Sequence, residues 1–330
     1  MDNNKKLILF SIIILYSALF IAGIVFSQEF PTKPVKIVVA SSPGGSLDTA
    51  ARIIQPFLSD ELGVQVVVEN MAGAGHLIAQ SVLYRTEPDG YTMLASANPE
   101  LDINLIYHET PFGEGDLIPM VIQYIDTRIL LVRKDSPWNS FTDFVEACEK
   151  EPGKHTLGVA TNSGMHLLAQ YLKDILNLDY QIVLYEGGAP AGTALLGGHI
   201  DCIIGEPYYH IRLRDETRAL LLSSKSKDEN WSEAQLLNEW LESREINTGY
   251  VPTFAKYQFI LVRKELKEKY PERYQLLQKA IINAANNKEH KDIVEKMGWL
   301  PIFVYAPGEE YEEEMQSELE VIKKVDLTPQ

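Results

Sequence analysis

Apolar positions along this chain alternate between two spacings. The run VKIVVA at 35–40 is unbroken and β-branched, as a strand buried on both faces requires. The next segment, SLDTAARIIQPFLSDEL at 46–62, repeats its apolar residues at helical intervals, and VQVVVEN at 64–70 returns to strand character. Together they predict a βαβ unit. A helix over 75–90, closed by the Pro88-Asp89-Gly90 turn, leads to a third strand, YTMLAS at 91–96.

The same alternation continues downstream. Strands are predicted at 120–134, 156–161, 180–188, 201–206, 217–225, 257–264 and 300–306. Helices are predicted at 140–150, 164–176, 272–287 and 307–325, the last with an acidic first turn that suits the helix dipole. The pattern predicts an α/β protein with largely parallel strands and a second α/β lobe beginning near Val121. No internal repeat or low-complexity linker interrupts it.

The amino terminus changes this picture. Lys5 and Lys6 precede an apolar or small-residue run from Leu7 to Phe26, followed by Ser27-Gln28-Glu29, the order of a secretory signal with Val25-Phe26-Ser27 at the cut. The run is also long enough to span a bilayer, so a retained anchor is the alternative to a cleaved leader at 1–27. No cysteine follows it, which argues against a lipid anchor. With 330 residues and 45% hydrophobic content the chain is expected to fold as two ordered domains. The net charge is −16; losing Asp2, Lys5 and Lys6 with the leader removes a net +1 and leaves −17, which argues against nucleic acid as a partner.

The six residues Pro43-Gly44-Gly45-Ser46-Leu47-Asp48 join the first strand to its helix. A glycine-rich strand-to-helix turn presents unpaired backbone N–H groups at the helix N-terminus, which suits an anion, and glycine lets a ligand approach the backbone closely. Asp48 falls in the first helical turn, where it either caps the backbone or meets a polar group on a ligand. A tight turn with Asp48 as a cap is the plain alternative.

Further motifs weigh against the plain turn. Lys33-Pro34-Val35-Lys36-Ile37-Val38-Val39, Pro43-Gly44-Gly45-x-x-Asp48-x-x-Ala51-Arg52, Val67-Val68-Glu69-Asn70-x-x-Gly73-Ala74-Gly75 and Pro88-Asp89-Gly90-Tyr91-Thr92 follow in order. They continue through His166-Leu167, Tyr185-x-Gly187-x-Ala189-Pro190-Ala191 and Leu196-Gly197-Gly198-His199-Ile200-Asp201 to Gly298 and Pro307-Gly308-Glu309-Glu310-Tyr311. In these the chain resembles the extracytoplasmic solute receptors of the tripartite tricarboxylate transporter, the Bug family, over nearly all of its length after the leader.

The resemblance implies a periplasmic-binding-protein fold of type II, a Venus flytrap of two α/β lobes joined by two crossing segments. Crossings near Ile125 to Arg128 and Asn247 to Gln258 assign 28–125 plus 251–330 to lobe 1 and 126–250 to lobe 2. The ligand would lie outside the carboxyl ends of strands, as in open α/β sheets. Lobe 1 would offer Ser42, Gly44, Gly45, Ser46 and Asp48, with Ser96 and Asn98 from the loop after YTMLA. Lobe 2 would offer Thr161, Asn162 and Ser163, then Gly187, Gly188 and Ala189, and Glu206. The partners implied are a small carboxylate and the membrane permease subunits of the transporter, with the receptor a monomer and no cofactor.

The residue types fit that role independently: backbone N–H groups with Ser, Thr and Asn side chains hold a carboxylate without burying a full positive charge. An acidic protein can then bind an anion, since screening over about 8 Å leaves local dipoles in control. Two departures stand near the expected cleft. GVATNSGMHL is shorter and bulkier than the family's glycine-rich stretch, and Glu186 stands where relatives often carry a basic residue. Glu186 either faces an amine or hydroxyl on the ligand or is a solvated strand-end charge.

Other residues offer less. His76, His166, His199 and His210 lack metal-ligand spacing, and Ser42 and Ser46 lack a nucleophile elbow, so no metal and no enzyme is expected. Tyr208 and Tyr209 are candidates either for the cleft wall or for core packing. Cys148 and Cys202 read as two buried thiols, a disulfide being the alternative. Solute capture for a transporter leads, and a membrane-tethered sensor with the same fold is the alternative.

Overall fold

The computed structural model describes residues 30–246 and 253–325. The leader at 1–27 and the part of the second crossing at 247–252 lie outside the described residues. Strands β1 (Val35–Val39), β2 (Val66–Asn70), β3 (Thr92–Asn98), β4 (Leu117–Asp126), β11 (Lys256–Arg263) and β12 (Phe303–Pro307) form one six-stranded sheet in the order β12-β4-β11-β3-β1-β2. The second sheet orders β10-β9-β5-β8-β6-β7, built from β5 (Arg128–Arg133), β6 (Thr156–Ala160), β7 (Gln181–Tyr185), β8 (Cys202–Gly205), β9 (Thr217–Ser223) and β10 (Gln235–Leu236).

The expectation of largely parallel strands holds only for part of each sheet. β1 pairs parallel with β2 and β3, and β6 with β7 and β8, each pair joined through a helix. β11 runs antiparallel to β3 and β4, β12 antiparallel to β4, and β5 antiparallel to β8 and β9. β4, β5 and β11 are the strands on which the chain leaves or enters a sheet by a crossing rather than by a βαβ turn, and with β12 they make both sheets mixed.

The single strand predicted over 120–134 is two. β4 ends at Asp126 in the first sheet, β5 starts at Arg128 in the second, and Thr127 alone lies between them. Apolar patterning cannot mark this change, because both strands are buried over most of their length.

The helices that matter for the site begin at the carboxyl ends of strands: α1 (Ser46–Leu62), α2 (Leu77–Arg85) and α3 (Glu100–Tyr107) on the first sheet. On the second are α4 (Phe141–Lys150), α5 (Gly164–Ile175), α6 (Gly188–Leu196) and α7 (Leu237–Ser243). The chain closes with α8 (Lys264–Lys269), α9 (Pro271–Asn286), α10 (Lys288–Lys296) and α11 (Glu312–Ile322). α1 and α9 pack on the first sheet through Ala50, Ile54, Leu58, Leu277, Ile281 and Ala284, all essentially removed from solvent. Burial of side chains of this kind contributes about 1.5–3 kcal/mol for each large one. A second core forms around Phe141, Phe144, Leu167, Leu168 and Leu172. Cys148 and Cys202 are both buried and free. Among the described residues no helix is long and apolar enough to cross a membrane, and no group of His, Cys, Asp and Glu is placed to hold a metal ion.

Candidate functional site

Between the two sheets lies a cavity of about 300 Å³. Five helices turn their N-termini toward it. α1 contributes Gly45, Ser46 and Leu47; α2 contributes Gly75 and His76; α3 contributes Glu100; α5 contributes Ser163 and Met165; α6 contributes Gly187, Gly188 and Ala189. Each N-terminus leaves backbone N–H groups unpaired and carries the positive end of the helix dipole, so their convergence makes the cavity attractive to an anion.

The first of these loops is held by Asp48. Gly44 N–H donates to Asp48 Oδ2 at 2.8 Å, and Arg52 Nε and Asn70 Nδ2 donate to Oδ1, both at 2.8 Å. Arg52 Nη2 closes the ring on Asn70 Oδ1 at 2.8 Å. Buried and fully engaged, Asp48 fixes the turn and does not line the cavity. Gly44 likewise gives its N–H to Asp48 rather than to the cavity. Its φ of +79° is the left-handed value that makes glycine necessary there, while Gly45 is the residue at the cavity wall.

The other predicted residues divide in the same way. Ser42, Gly45, Ser46, Thr161, Ser163, Gly187, Gly188, Ala189 and Glu206 line the cavity. Ser163 does so with its hydroxyl already committed, donating to Ala160 O at 2.6 Å and accepting His166 N–H at 3.3 Å as the cap of α5. Asn162 turns away to His108, with 2.9 Å between Nδ2 and Nε2. Ser96 and Asn98 belong to β3 itself rather than to a loop. Ser96 lies 3.3 Å from His76 Nδ1, and Asn98 Nδ2 donates to Asp102 Oδ2 at 2.9 Å, so they support the wall from behind.

Two cations of the floor, Lys256 and Arg128, were not foreseen. Lys256, at the start of β11 and 7% exposed, donates from Nζ to Ser46 Oγ at 2.7 Å and to Glu206 Oε1 at 2.9 Å. Arg128, fully buried, lies 3.4 Å from the same Glu206 oxygen and donates from Nε to Phe254 O at 2.7 Å. A full positive charge is therefore buried at the site, against expectation, but it is neutralised in place. Burial alone would raise the Glu206 carboxyl; Lys256 and Arg128 outweigh it and hold it at about 2. Asp126, opposite Lys256 in the β4–β11 register, is pushed up to about 8 by burial and by Glu206, against the opposing pull of Arg128.

His76 and Tyr209 complete the wall. His76 adopts a left-handed φ of 73° ahead of α2, and burial, reinforced by Lys256 against the pull of Glu100 and Glu206, lowers it to about 4. The ring is neutral near pH 7. Tyr209 donates from its hydroxyl to Gly44 O at 2.7 Å, tying the second sheet's side to the first loop, and accepts from Arg212 Nη2 at 2.7 Å. Tyr208 is not among the cavity residues. Glu186 is exposed at the end of β7 and lines the cavity. Lys256 and Arg128 each carried one legible signal: a lone cation at the edge of, or within, an apolar run.

Comparison with known proteins bears on this site. Residues 50–255 match the family described as tripartite tricarboxylate transporter family receptor, TctC. A Pseudomonas sp. protein encoded in the tcbD-tcbE intergenic region is 32% identical over 179 residues, 54% of this chain and 53% of the relative. The chain thus spans about half the length of the curated relatives it matches. Among solved structures, the periplasmic binding protein BugD superposes with a TM-score of 0.77 at 20% identity, covering 89% of this chain and 97% of that one. MatC from Rhodopseudomonas palustris, solved with bound malate, gives 0.75 at 20% identity over 89% and 99%. Two mixed six-stranded sheets arranged as in these structures are the type II periplasmic-binding-protein fold. With more than half of its length matched, the chain belongs to the tripartite tricarboxylate transporter receptor family.

Proposed function

We propose that this chain is an extracytoplasmic solute-binding protein. It captures a small carboxylate between lobe 1 (28–125 plus 251–330) and lobe 2 (126–250) and delivers it to the membrane permease subunits of a tripartite tricarboxylate-type transporter. The observation that carries this reading is the convergence of five helix N-termini on one cavity between the sheets. Family membership and the malate bound by MatC support a carboxylate ligand. Backbone N–H groups at Ser46, Gly187, Gly188 and Ala189, with the hydroxyls of Ser42 and Thr161, would receive it, while Gly45, whose N–H is held by Ser42 O, would let it approach. The leader exports the chain, which acts as a monomer.

The test is calorimetric titration of the purified chain with a panel of small mono-, di- and tricarboxylates and amino acids, beside Gly187→Leu. Gly187 has an extended backbone, and a Cβ there meets nothing within 4 Å, so the variant folds and places a side chain at the cavity wall. Binding by the parent with loss in the variant supports the reading. Equal binding by both, or binding by neither, overturns it.

A further inference from the structure

We propose that Glu100 is the recognition point for an ammonium group, so that the ligand of this cleft is an amino-carboxylate rather than a di- or tricarboxylate that lacks an amino group. The inference rests on the cleft being a small-carboxylate site and names the class of carboxylate.

Glu100 opens α3, lines the cavity and is 5% exposed. Its Oε2 is sealed from solvent and has no hydrogen-bond partner among the described residues. A buried carboxylate oxygen without a donor is costly, and buried polar groups are otherwise almost always paired. The nearby donors are committed elsewhere. Lys256 Nζ is held by Ser46 and Glu206, and Asn104, one turn along α3, gives its Nδ2 to Gly75 O at 2.7 Å and Gln80 Oε1 at 2.8 Å. His76 is neutral near pH 7, its Nδ1 lies 3.3 Å from Ser96 Oγ, and no hydrogen bond joins its ring to Glu100 Oε2. The missing donor is thus one that the ligand brings.

The balance of charge selects which donor. Three carboxylate side chains, Glu100, Glu186 and Glu206, line the cavity, and among the described residues Lys256 is the one Lys or Arg side chain that does. Lys256, with Arg128 behind it, is engaged by Glu206. The helix N-termini serve one carboxylate of a ligand. A second carboxylate in place of the ammonium would meet Glu100, and like charges at that range repel in a site of low dielectric. An ammonium meets opposite charge and carries three donors with no acceptor to leave unsatisfied. A hydroxyl would satisfy Oε2 without answering the charge.

The experiment is titration calorimetry of the purified full chain with matched trios: aspartate, malate and succinate; glutamate, 2-hydroxyglutarate and glutarate; alanine, lactate and propionate; phenylalanine, phenyllactate and phenylpropionate. Glu100→Gln is run beside it. The expected result is an amino member binding at least about tenfold tighter than its hydroxylated and unsubstituted counterparts, the worth of one charge-assisted hydrogen bond. In Glu100→Gln that advantage falls about tenfold or more. If a hydroxylated or unsubstituted acid binds as tightly as its amino counterpart, the inference is overturned while the small-carboxylate reading stands. An amino advantage unchanged in Glu100→Gln also overturns it. If no member of any trio binds, both fall. Should the variant not fold, the comparison within each trio on the parent chain still decides.

Discussion

Tyr209 donates its phenol hydrogen to the carbonyl of Gly44 at 2.7 Å, a bond that joins the second sheet's side of the cleft to the glycine turn of the first. Arg212 holds the ring in place, donating to the phenol oxygen at 2.7 Å and lying 4.3 Å from the ring centroid. The contact exists only while the two sides are together. Tyr209→Phe keeps the ring and removes the bond. The expected outcome is a melting temperature close to that of the parent and ligand release accelerated about three- to tenfold, the worth of one neutral hydrogen bond. Stopped-flow displacement measures it, and an unchanged release rate would discard the idea of a latch.

The buried pair beneath the cavity has a different signature. Lys256→Met leaves Glu206 with Arg128 as its remaining partner and removes the donor to Ser46. Breaking one side of a buried ion pair costs about 3–5 kcal/mol. Since Glu206 keeps Arg128, the single variant is expected to lose less than that, whereas adding Glu206→Gln leaves the fully buried Arg128 without its carboxylate and is expected to bring the full loss. Urea denaturation of both reads the difference; a double variant as stable as the single one contradicts the coupling.

Gly164 is needed for Arg128. A Cβ on Gly164 would stand 2.3 Å from Arg128 Nη2 and 2.9 Å from Phe254 O, and Arg128 cannot swing aside because it is fully buried and bonded to that carbonyl. Gly164→Ala is expected to cost about 1–3 kcal/mol by overpacking. Gly113→Ala, whose Cβ meets Asp116 Oδ2 at an ordinary 3.7 Å, is the control and should stay within about 0.5 kcal/mol of the parent.

His76 sets an acid-side loss of stability. Its folded-state value of about 4 lies below the ordinary 6.5, so the folded protein binds fewer protons than the unfolded chain across that window. The contribution is present above pH 6.5 and is lost as pH falls to 4, at most about 3 kcal/mol. Asp102 and Glu318, both raised to about 7 by burial, act in the opposite direction over part of the same range, so the comparison must be with a variant. His76→Asn suits the left-handed backbone there and removes the group. The stability of the parent relative to the variant, followed by urea denaturation from pH 7 to pH 4, should fall with pH; a flat difference would refute it.

Much of the fold was legible because its signals are local. The predicted strand-helix-strand at 35–40, 46–62 and 64–70 is Val35–Val39, Ser46–Leu62 and Val66–Asn70. Where tertiary context takes over, legibility ends. Gly188–Leu196, GAPAGTALL, falls under no predicted helix because glycine and proline open it, yet it is helical once packed against β6 and β8. The site was legible in its loops, which follow strands and are glycine-rich. In the floor, Ser46 and Glu206 were among the expected residues but Lys256 was not, since the three are distant in sequence and meet only across the two sheets. His76, an isolated histidine, carries no spacing signal that points to the cavity. Asp48, Ser96, Asn98 and Asn162 have residue types suited to a ligand but spend their polar groups on the scaffold.

Thr127 alone separates β4 from β5, and the strand partners on either side bring Lys256 and Glu206 next to that peptide. A swing of one half against the other about Thr127 would pivot close to the cavity floor. Points near a fulcrum travel little and points far from it travel far. The Lys256–Glu206 contact would survive small openings almost unchanged, while Pro43 and Glu186 would open widely. The receptor would grip a solute as a pair of tweezers does, with the jaw tips carrying the displacement and the joint carrying the load.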